Sequence, residues 1–252
     1  MILSTWVNKF TEIIDSITFK HENGLLVKEY RPKNHGKLHR NSNSGPAKII
    51  FYKNGNIKRE IYAEHGLYNR NVEIGPADIH YYEDGTLQYV TYISNNDARP
   101  PKPGKPVCIR YYPSGRIELE GYIDRYCLID RNYGLTIQYY ESGAIKAMVF
   151  TIMNKKLHNN PNEPARIWYY ENGNIKLQEY YQNGLLHRIN GPASILFYPN
   201  GKPKHKEYYR SGFLYREKAP ARIIYNEDGT IFSEMYYLDG KVYDPLCGFH
   251  AF

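Results

Sequence analysis

Short runs of alternating apolar and polar residues recur along most of the chain, and a glycine-containing turn interrupts each run. In the segment GPADIHYYEDGTLQYVTY, Ala77, Ile79 and Tyr81 stand at every second position, and this period of two predicts a β-strand. Gly85 follows in an acidic turn, where glycine adopts a positive φ at little steric cost. A second run then starts at Leu87. The segment therefore predicts a β-hairpin.

This hairpin is repeated seven times, at a period of 28 or 30 residues, and its turn glycines are Gly55, Gly85, Gly115, Gly143, Gly173, Gly201 and Gly229. A proline stands nine residues before six of these glycines, and Gly134 takes its place in the fourth unit. An aromatic residue stands seven positions after each glycine. Because three anchors keep one register, we predict an all-β fold: an elongated single antiparallel sheet, or solenoid, of stacked hairpins. Two strands per unit at about 4.8 Å each give a body about 65–70 Å long.

The spacing inside the second strand is not that of a regular strand. Ile57 and Tyr62 represent two anchors, which lie two and seven positions after the turn glycine. A separation of five residues would place them on opposite faces of a sheet. Either a β-bulge lies between them, or the tyrosine caps the strand from the other side. The sequence leaves both alternatives open.

The ends of such an array need caps, since terminal repeats expose sheet edges. Residues 1–15 have apolar positions at helical spacing and predict a short amphipathic N-terminal helix that caps the sheet. The repeat array covers residues 16–243 and begins with a degenerate unit that turns at Gly24, and residues 244–252 form a C-terminal tail or cap. We expect self-association through aromatic residues of the two ends: Trp6, Phe10, Phe249 and Phe252.

The chain is basic, with a formal net charge of +7 and a pI of about 9.0. One cluster breaks the repeat symmetry and is a candidate anion-binding patch: Lys202, Lys204, Lys206, Arg210, Arg216, Lys218 and Arg222. A smaller cluster lies near the start: Lys28, Arg31, Lys33, Lys37 and Arg40. Anionic lipid headgroups attract such patches, by about 1 kcal/mol per basic side chain. A solvated surface is the alternative interpretation.

Tyrosine is the dominant aromatic residue, with 27 copies against 9 Phe and 2 Trp. One row is in register along the predicted sheet: Tyr52, Tyr82, Tyr112, Tyr140, Tyr170 and Tyr198. Such a row could stack the bases of a single-stranded nucleic acid. A ladder of tyrosines also packs with itself and stabilises a sheet, and we favour this interpretation. Nucleic acid is therefore the least favoured partner.

No pattern of catalytic residues is present. Histidines recur inside the links between hairpins, as in Leu-His-Arg at His39 and His187, so we expect each link to contain a histidine or arginine that hydrogen-bonds a backbone carbonyl. Glutamates also recur in the second strands, where we expect cross-strand ion pairs: Glu60, Glu120, Glu179, Glu207 and Glu234. We predict a non-enzymatic protein with no catalytic residue, cofactor or metal site.

The cysteines and the N-terminus bear on location. Cys108, Cys127 and Cys247 follow no metal-ligand spacing, and a sparse, odd set is typical of a reducing compartment. The first residues lack the pattern of a signal peptide, and no run approaches the roughly 18 apolar residues of a transmembrane helix. We expect a soluble, cytoplasmic protein.

Two segments, YYENGNIKLQEYYQNGLLHR and FYPNGKPKHKEYYRSGFLYR, resemble the MORN repeat, in the variant with a YYxNGxIxxExYxxxG core. The resemblance extends over about residues 16–243, although the Gly-x-Gly after the turn is absent. This variant occurs in bacterial antitoxin-like proteins and in large DNA viruses of amoebae, so the resemblance implies host cytoplasm or virion for a viral protein. It also implies a twisted sheet and a scaffold for protein partners, including a second copy, with phospholipid association as an alternative.

Overall fold

The computed structural model describes residues 17–32, 36–124, 133–152, 156–157 and 162–245. The predicted helix of residues 1–15, with Trp6 and Phe10, and the tail residues Phe249 and Phe252 lie outside these ranges. The chain divides into two compact units, Met1–Tyr122 and Ile123–Phe252. In the described residues the helical content is one 3-10 turn, Ser42–Ser44.

The first unit contains two short hairpins and an antiparallel sheet of eight longer strands, the last of which ends two residues after Tyr122. Its strands are β1 (Ile17–Glu22), β2 (Leu25–Tyr30), β3 (Lys48–Phe51), β4 (Ile57–Ile61), β5 (Ala63–Glu64), β6 (Leu67–Tyr68), β7 (Asp78–Tyr81), β8 (Leu87–Thr91), β9 (Ile93–Ser94), β10 (Asp97–Ala98), β11 (Cys108–Tyr111) and β12 (Ile117–Asp124). The longer strands pair in the order β1-β2-β3-β4-β7-β8-β11-β12. The short pairs β5–β6 and β9–β10 form separate ladders.

The second unit repeats this plan. Its strands are β13 (Tyr133–Tyr139), β14 (Ile145–Ile152), β15 (Lys156–Leu157), β16 (Arg166–Tyr169), β17 (Ile175–Glu179), β18 (Tyr181–Gln182), β19 (Leu185–Leu186), β20 (Ser194–Phe197), β21 (Pro203–Glu207), β22 (Tyr209–Arg210), β23 (Phe213–Leu214), β24 (Arg222–Tyr225), β25 (Ile231–Met235), β26 (Tyr237–Leu238) and β27 (Lys241–Val242). The longer strands pair antiparallel in the order β13-β14-β16-β17-β20-β21-β24-β25. The prediction of an all-β fold built from stacked antiparallel hairpins is confirmed.

Each longer hairpin turns at its glycine, as the turn at Gly85 shows. Gly85 has φ +91°, and its N–H donates to the Tyr82 carbonyl at 3.0 Å. An alanine there would meet no atom within 4 Å, so the requirement for glycine comes from the backbone conformation and not from lack of space.

A β-bulge in each second strand explains the irregular spacing of its anchor residues. In the hairpin of β3 and β4, Ile50 pairs with Arg59 but the next residue, Phe51, pairs with Ile57, so Lys58 is the extra residue. The same shift recurs in the other six repeated hairpins, where the extra residues are Gln88, Glu118, Lys146, Lys176, Lys204 and Phe232. One inserted residue restores the alternation, and of the two alternatives the bulge is therefore correct.

The turn tyrosines fasten neighbouring hairpins to one another. Tyr52 donates its hydroxyl proton to the Tyr81 carbonyl at 2.8 Å, which lies at the bulge of the next hairpin. Equivalent bonds of 2.8–2.9 Å join Tyr82 to Tyr111, Tyr140 to Tyr169, Tyr170 to Phe197, and Tyr198 to Tyr225. These five tyrosines therefore join neighbouring hairpins through their hydroxyl groups, a contact that the predicted ladder of packed rings did not include.

The core is a thin row of small side chains. The alanine after the repeat proline is fully buried at Ala47, Ala77, Ala165, Ala193 and Ala221. Its backbone joins both neighbouring second strands: the N–H of Ala77 donates to the Thr91 carbonyl at 2.9 Å, and its carbonyl accepts from Tyr62 at 2.7 Å. Ile79 and Val90 pack beside this alanine. Stability therefore comes from contacts between adjacent hairpins, as expected for a repeat protein.

Candidate interaction site

A clamp made of tyrosine, arginine and proline organises the links between hairpins. In the second unit, the Arg188 guanidinium lies 3.7 Å from the centre of the Tyr180 ring, and its Nη1 donates to the Pro192 carbonyl at 3.3 Å. Three other links contain the same clamp: Arg40 with Tyr30 and Pro46, Arg70 with Tyr62 and Pro76, and Arg216 with Tyr208 and Pro220. Cation–π contact and a charge-assisted hydrogen bond thus hold each link on its hairpin.

The link histidines have a different role from the arginines. Nδ1 of His187 accepts a 3.0 Å hydrogen bond from the backbone N–H of Ser211, and Nδ1 of His39 accepts an equivalent bond from His65. Both bonds run to the short hairpin of the following repeat, and both require the tautomer with its proton on Nε2. The predicted bond to a carbonyl is therefore made by the arginine, and the histidine instead satisfies a backbone donor.

A cavity in the second unit lies between two successive links and has a volume of about 790 Å³. We name it the link groove. Its walls are the links His187–Gly191 and Tyr215–Glu217, and its remaining lining residues are Gln182, Tyr208, Tyr209 and Arg210. Clefts of this size accommodate small ligands or a few residues of a peptide.

The link groove is rich in positive charge. Arg188, Arg210 and Arg216 line it, and Glu217 is the one acidic residue among the described lining residues. The Arg210 guanidinium lies 5.2 Å from the centre of the Tyr215 ring. Burial, followed by the nearby Glu207 carboxylate, raises the pKa of Tyr209.

Two residues of the link groove differ from their counterparts in other repeats. Ile189 follows a link arginine and is 78% exposed, whereas Asn41, Asn71 and Glu217 occupy this position elsewhere. Arg210 takes the place of Glu64, Ser94 and Gln182 of other short hairpins. The groove therefore combines repeat features with two substitutions of its own.

The structure divides the basic patch predicted from the sequence. Arg210 and Arg216 lie in the link groove. Lys206 and Arg222 point to opposite faces of the sheet, because Lys206 pairs with Ile223 and Arg222 is the next residue along. Arg222 forms an ion pair with Glu207 at 2.7 Å.

The lysines of this patch make local contacts. Lys204 lies 5.4 Å from the centre of the Tyr198 ring, and Lys206 lies 5.2 Å from that of Tyr225. Lys202 donates to the Asp228 carbonyl at 2.9 Å, and Lys218 occupies a link with φ +58°. The seven residues of the patch therefore do not share one surface.

One residue of the smaller basic cluster, Arg31, contacts a carboxylate that the sequence did not single out, whereas Lys33 of that cluster lies outside the described residues. Glu29 is 1% exposed and accepts from Lys20, Arg31 and Lys48 at 3.0, 2.9 and 3.0 Å. Burial alone raises the pKa of Glu29, but hydrogen bonds from Arg31, Lys48 and Lys20 outweigh burial and lower it to about 2. The site is a closed ion network. In the sequence Glu29 stands between Lys28 and Arg31, and this proximity to basic residues was the available signal for an ion network. The burial of Glu29 could not be predicted, because it depends on the pairing of β2 with β3.

Second-strand glutamates accept hydrogen bonds from tyrosine hydroxyls, and two of them also form ion pairs. Glu179 and Glu207 form the predicted cross-strand ion pairs, with Arg166 at 3.1 Å and Arg222 at 2.7 Å. Glu60 instead accepts from the Tyr81 hydroxyl at 2.9 Å. These contacts assign a structural role to the three carboxylates.

Within the described ranges, no three His, Cys, Asp or Glu side chains come together in a group that could hold a metal ion. No helix in the same part of the chain is long and apolar enough to cross a membrane.

The fold and the links define a protein built from repeated β-hairpins. The family model described as the MORN repeat variant matches residues 165–183 and 194–212, so these two segments are similar to that repeat. No curated protein matches the chain. Repeats of this family are generally scaffolds for protein or membrane interactions and are typically non-enzymatic.

Proposed function

We propose that this protein is a non-enzymatic repeat scaffold for protein–protein interaction, and that one of its partners is a second copy bound at strand β25. The observation that carries the proposal is the exposure of two apolar residues on this strand. Ile231 is 55% exposed and Phe232 is 71% exposed.

The sequence of the last hairpin departs from that of the others at both ends of its turn. Phe232 occupies the bulge position, which is Lys, Gln or Glu in the other six repeated hairpins. Asn226 replaces the turn tyrosine that elsewhere donates to the next hairpin. The last hairpin therefore lacks the turn tyrosine that would bind a following hairpin, and it exposes an apolar side chain at its bulge. Both changes suit contact with another protein surface rather than with a further repeat.

Strand β25 also offers a row of backbone hydrogen-bonding groups. In the described part of the chain, β25 pairs with β24 alone. An unpaired strand edge is a template for another strand. Two copies related by a twofold axis would pair β25 with β25 in antiparallel orientation, which buries Ile231 and Phe232 of both copies.

Light scattering of the full chain over a range of concentrations tests the proposal. We expect a monomer–dimer equilibrium for the parent chain and a shift to monomer for Phe232→Lys. The matched control is Ile74→Lys, which also removes an exposed apolar side chain (54% exposed) but lies in a link of the first unit. A parent chain that stays monomeric at every concentration would remove the self-association part of the proposal, and equal dimer loss in both variants would remove β25 as its site.

An anionic membrane surface is the second candidate partner, because three bulge lysines lie at matching positions in the second unit. Lys146, Lys176 and Lys204 each lie 5.4–5.6 Å from the centre of the turn-tyrosine ring in their own hairpin. Since each hairpin contributes two strands, the lysines recur about every 10 Å. We name them the lysine row.

Co-sedimentation with anionic and neutral vesicles, at low and physiological salt, tests this candidate. We expect binding to anionic vesicles that Lys176→Glu weakens. The control is Lys58→Glu. Lys58 also lies over the turn tyrosine of its own hairpin, but the bulge residue of the next hairpin is Gln88, so Lys58 has no lysine beside it in a row. Equal weakening by both variants would indicate a net-charge effect and argue against the lysine row.

A further inference from the structure

We infer that the link groove of the second unit binds an acidic peptide segment that carries an apolar side chain. This inference does not depend on self-association, because the groove residues and strand β25 are different parts of the second unit. It rests on the charge of the groove, on how its arginines are held, and on Ile189.

The groove presents arginine side chains whose positions are fixed in advance. Arg188 and Arg216 lie 3.7 and 3.9 Å from the ring centres of Tyr180 and Tyr208, and each donates one Nη1 bond to a proline carbonyl. A guanidinium has five N–H donors, so one clamp bond leaves donors that can reach a carboxylate. Because the clamps already restrict both side chains, little further ordering is needed when a ligand binds.

Arg210 adds a cation that the clamps do not use. It lies on β22 and lines the same cavity as the two clamp arginines. Three guanidinium groups against the Glu217 carboxylate leave the groove with a net positive charge. Arginine binds carboxylates in two-bond geometry, which favours aspartate and glutamate side chains as ligands.

Ile189 supplies the apolar part of the surface. At 78% it is the most exposed large hydrophobic residue of the described chain, and other links carry Asn or Glu at this position. An apolar ligand side chain that covers it would remove hydrocarbon surface from water. A ligand with both carboxylates and an apolar group therefore fits the groove better than a purely acidic one.

A peptide also fits better than a nucleic acid. Single-stranded nucleic acids bind through bases that stack on open aromatic rings. In this groove the guanidinium groups of Arg216 and Arg210 lie near the rings of Tyr208 and Tyr215, at 3.9 and 5.2 Å from their centres. Ring faces occupied by arginine are not available for bases, whereas the arginines remain available for carboxylates.

An array of fluorescein-labelled hexapeptides tests the inference with the full-length chain. One set combines Glu and Asp with a single Leu, Phe or Tyr at each position, and a matched set replaces Glu and Asp with Gln and Asn. Fluorescence anisotropy of the best acidic peptide then compares the parent chain with three variants. The first is Arg210→Glu, which leaves both clamps intact, and the second is Ile189→Asn, which restores the residue of the first-unit links. The third, Lys176→Glu, makes the same charge change outside the groove.

We expect acidic peptides to bind and their neutral counterparts not to bind. Arg210→Glu should weaken binding by about tenfold or more, which corresponds to the loss of one charge-assisted contact. Ile189→Asn should remove the preference for peptides with an apolar residue, and Lys176→Glu should have little effect. Failure of the whole array to bind, or equal weakening by Arg210→Glu and Lys176→Glu, would overturn the inference. None of these outcomes bears on the light-scattering test of β25.

Discussion

The hydroxyl of Tyr170 donates a 2.8 Å hydrogen bond to the backbone carbonyl of Phe197 in the following hairpin. The acceptor lies at a bulge, where the extra residue Lys204 interrupts the regular strand ladder. Asn172 and Asn174 of the same turn donate to the Pro199 carbonyl at 3.1 and 2.8 Å. The turn of one hairpin is therefore attached to the next by several side chains, and the tyrosine bond is the one that recurs most widely.

Removing this hydroxyl tests how much the bond contributes. We expect Tyr170→Phe to lower the free energy of unfolding by about 1 kcal/mol, because a partly buried carbonyl loses its donor while the ring packing stays. Urea unfolding followed by circular dichroism gives this value. The control is Tyr225→Phe, which removes a tyrosine hydroxyl for which no such bond to a carbonyl is seen among the described residues. Equal losses in the two variants would contradict a specific role for the bond.

The repeat period made much of the fold predictable. Glycine, proline and tyrosine at fixed spacing correctly indicated hairpins that stack antiparallel, because turn chemistry is local. The sequence could not distinguish a bulge from a capping tyrosine. The apolar pattern shows that two positions are separated by an odd number of residues, but it does not show which residue is inserted. That choice depends on pairing between strands, as with Ile57 opposite Phe51.

The candidate site was less predictable than the fold. The basic residues between Lys202 and Arg222 are close in sequence, and the prediction treated them as one patch. In the structure Lys206 and Arg222 lie on opposite faces of the sheet, and Arg222 forms an ion pair with Glu207. The link groove joins residues of two consecutive links, and composition does not show this proximity. Comparing the same position in successive repeats would have identified Ile189 and Arg210, because both differ from their counterparts.

The clamps should contribute measurably to stability. We expect Arg216→Met to lower the free energy of unfolding by about 1–2 kcal/mol, since it removes a cation–π contact and a hydrogen bond to the Pro220 carbonyl. Arg99→Met is the control, because Arg99 is 55% exposed and its Nε lies 3.7 Å from Asp97. Urea unfolding compares the two. A loss for Arg99→Met as large as that for Arg216→Met would argue against the clamp.

Glu29 should make stability depend on pH in the acidic range. Its pKa in the folded protein is about 2, below the ordinary value of 4.5, because three cations outweigh the effect of burial. The ionised group therefore stabilises the fold fully above about pH 4.5, and this contribution is lost as the pH falls from there to about 2. Thermal melts across this range measure the effect.

Substitution of the carboxylate gives the matching variant. We expect Glu29→Gln to be less stable than the parent chain by about 3 kcal/mol at neutral pH, because Lys20, Arg31 and Lys48 lose the buried carboxylate that they share, and among the described residues only Lys20 and Lys48 keep an ion pair, with Glu22. The difference should shrink towards pH 2, where Glu29 of the parent is protonating as well. Glu73→Gln, at an exposed link residue, is the control, and a difference that stays constant with pH would contradict the assignment.

Gly121 has a steric role that a double-mutant cycle can isolate. A Cβ atom at this position would lie 2.6 Å from Sγ of Cys108, its partner across strands β11 and β12. We expect Gly121→Ala to destabilise the protein by about 1–3 kcal/mol through overpacking, and Cys108→Ala to restore a large part of that loss in the double variant. Urea unfolding of the parent, both single variants and the double variant gives the coupling energy. Additive effects would show that the cost of Gly121→Ala does not come from the thiol.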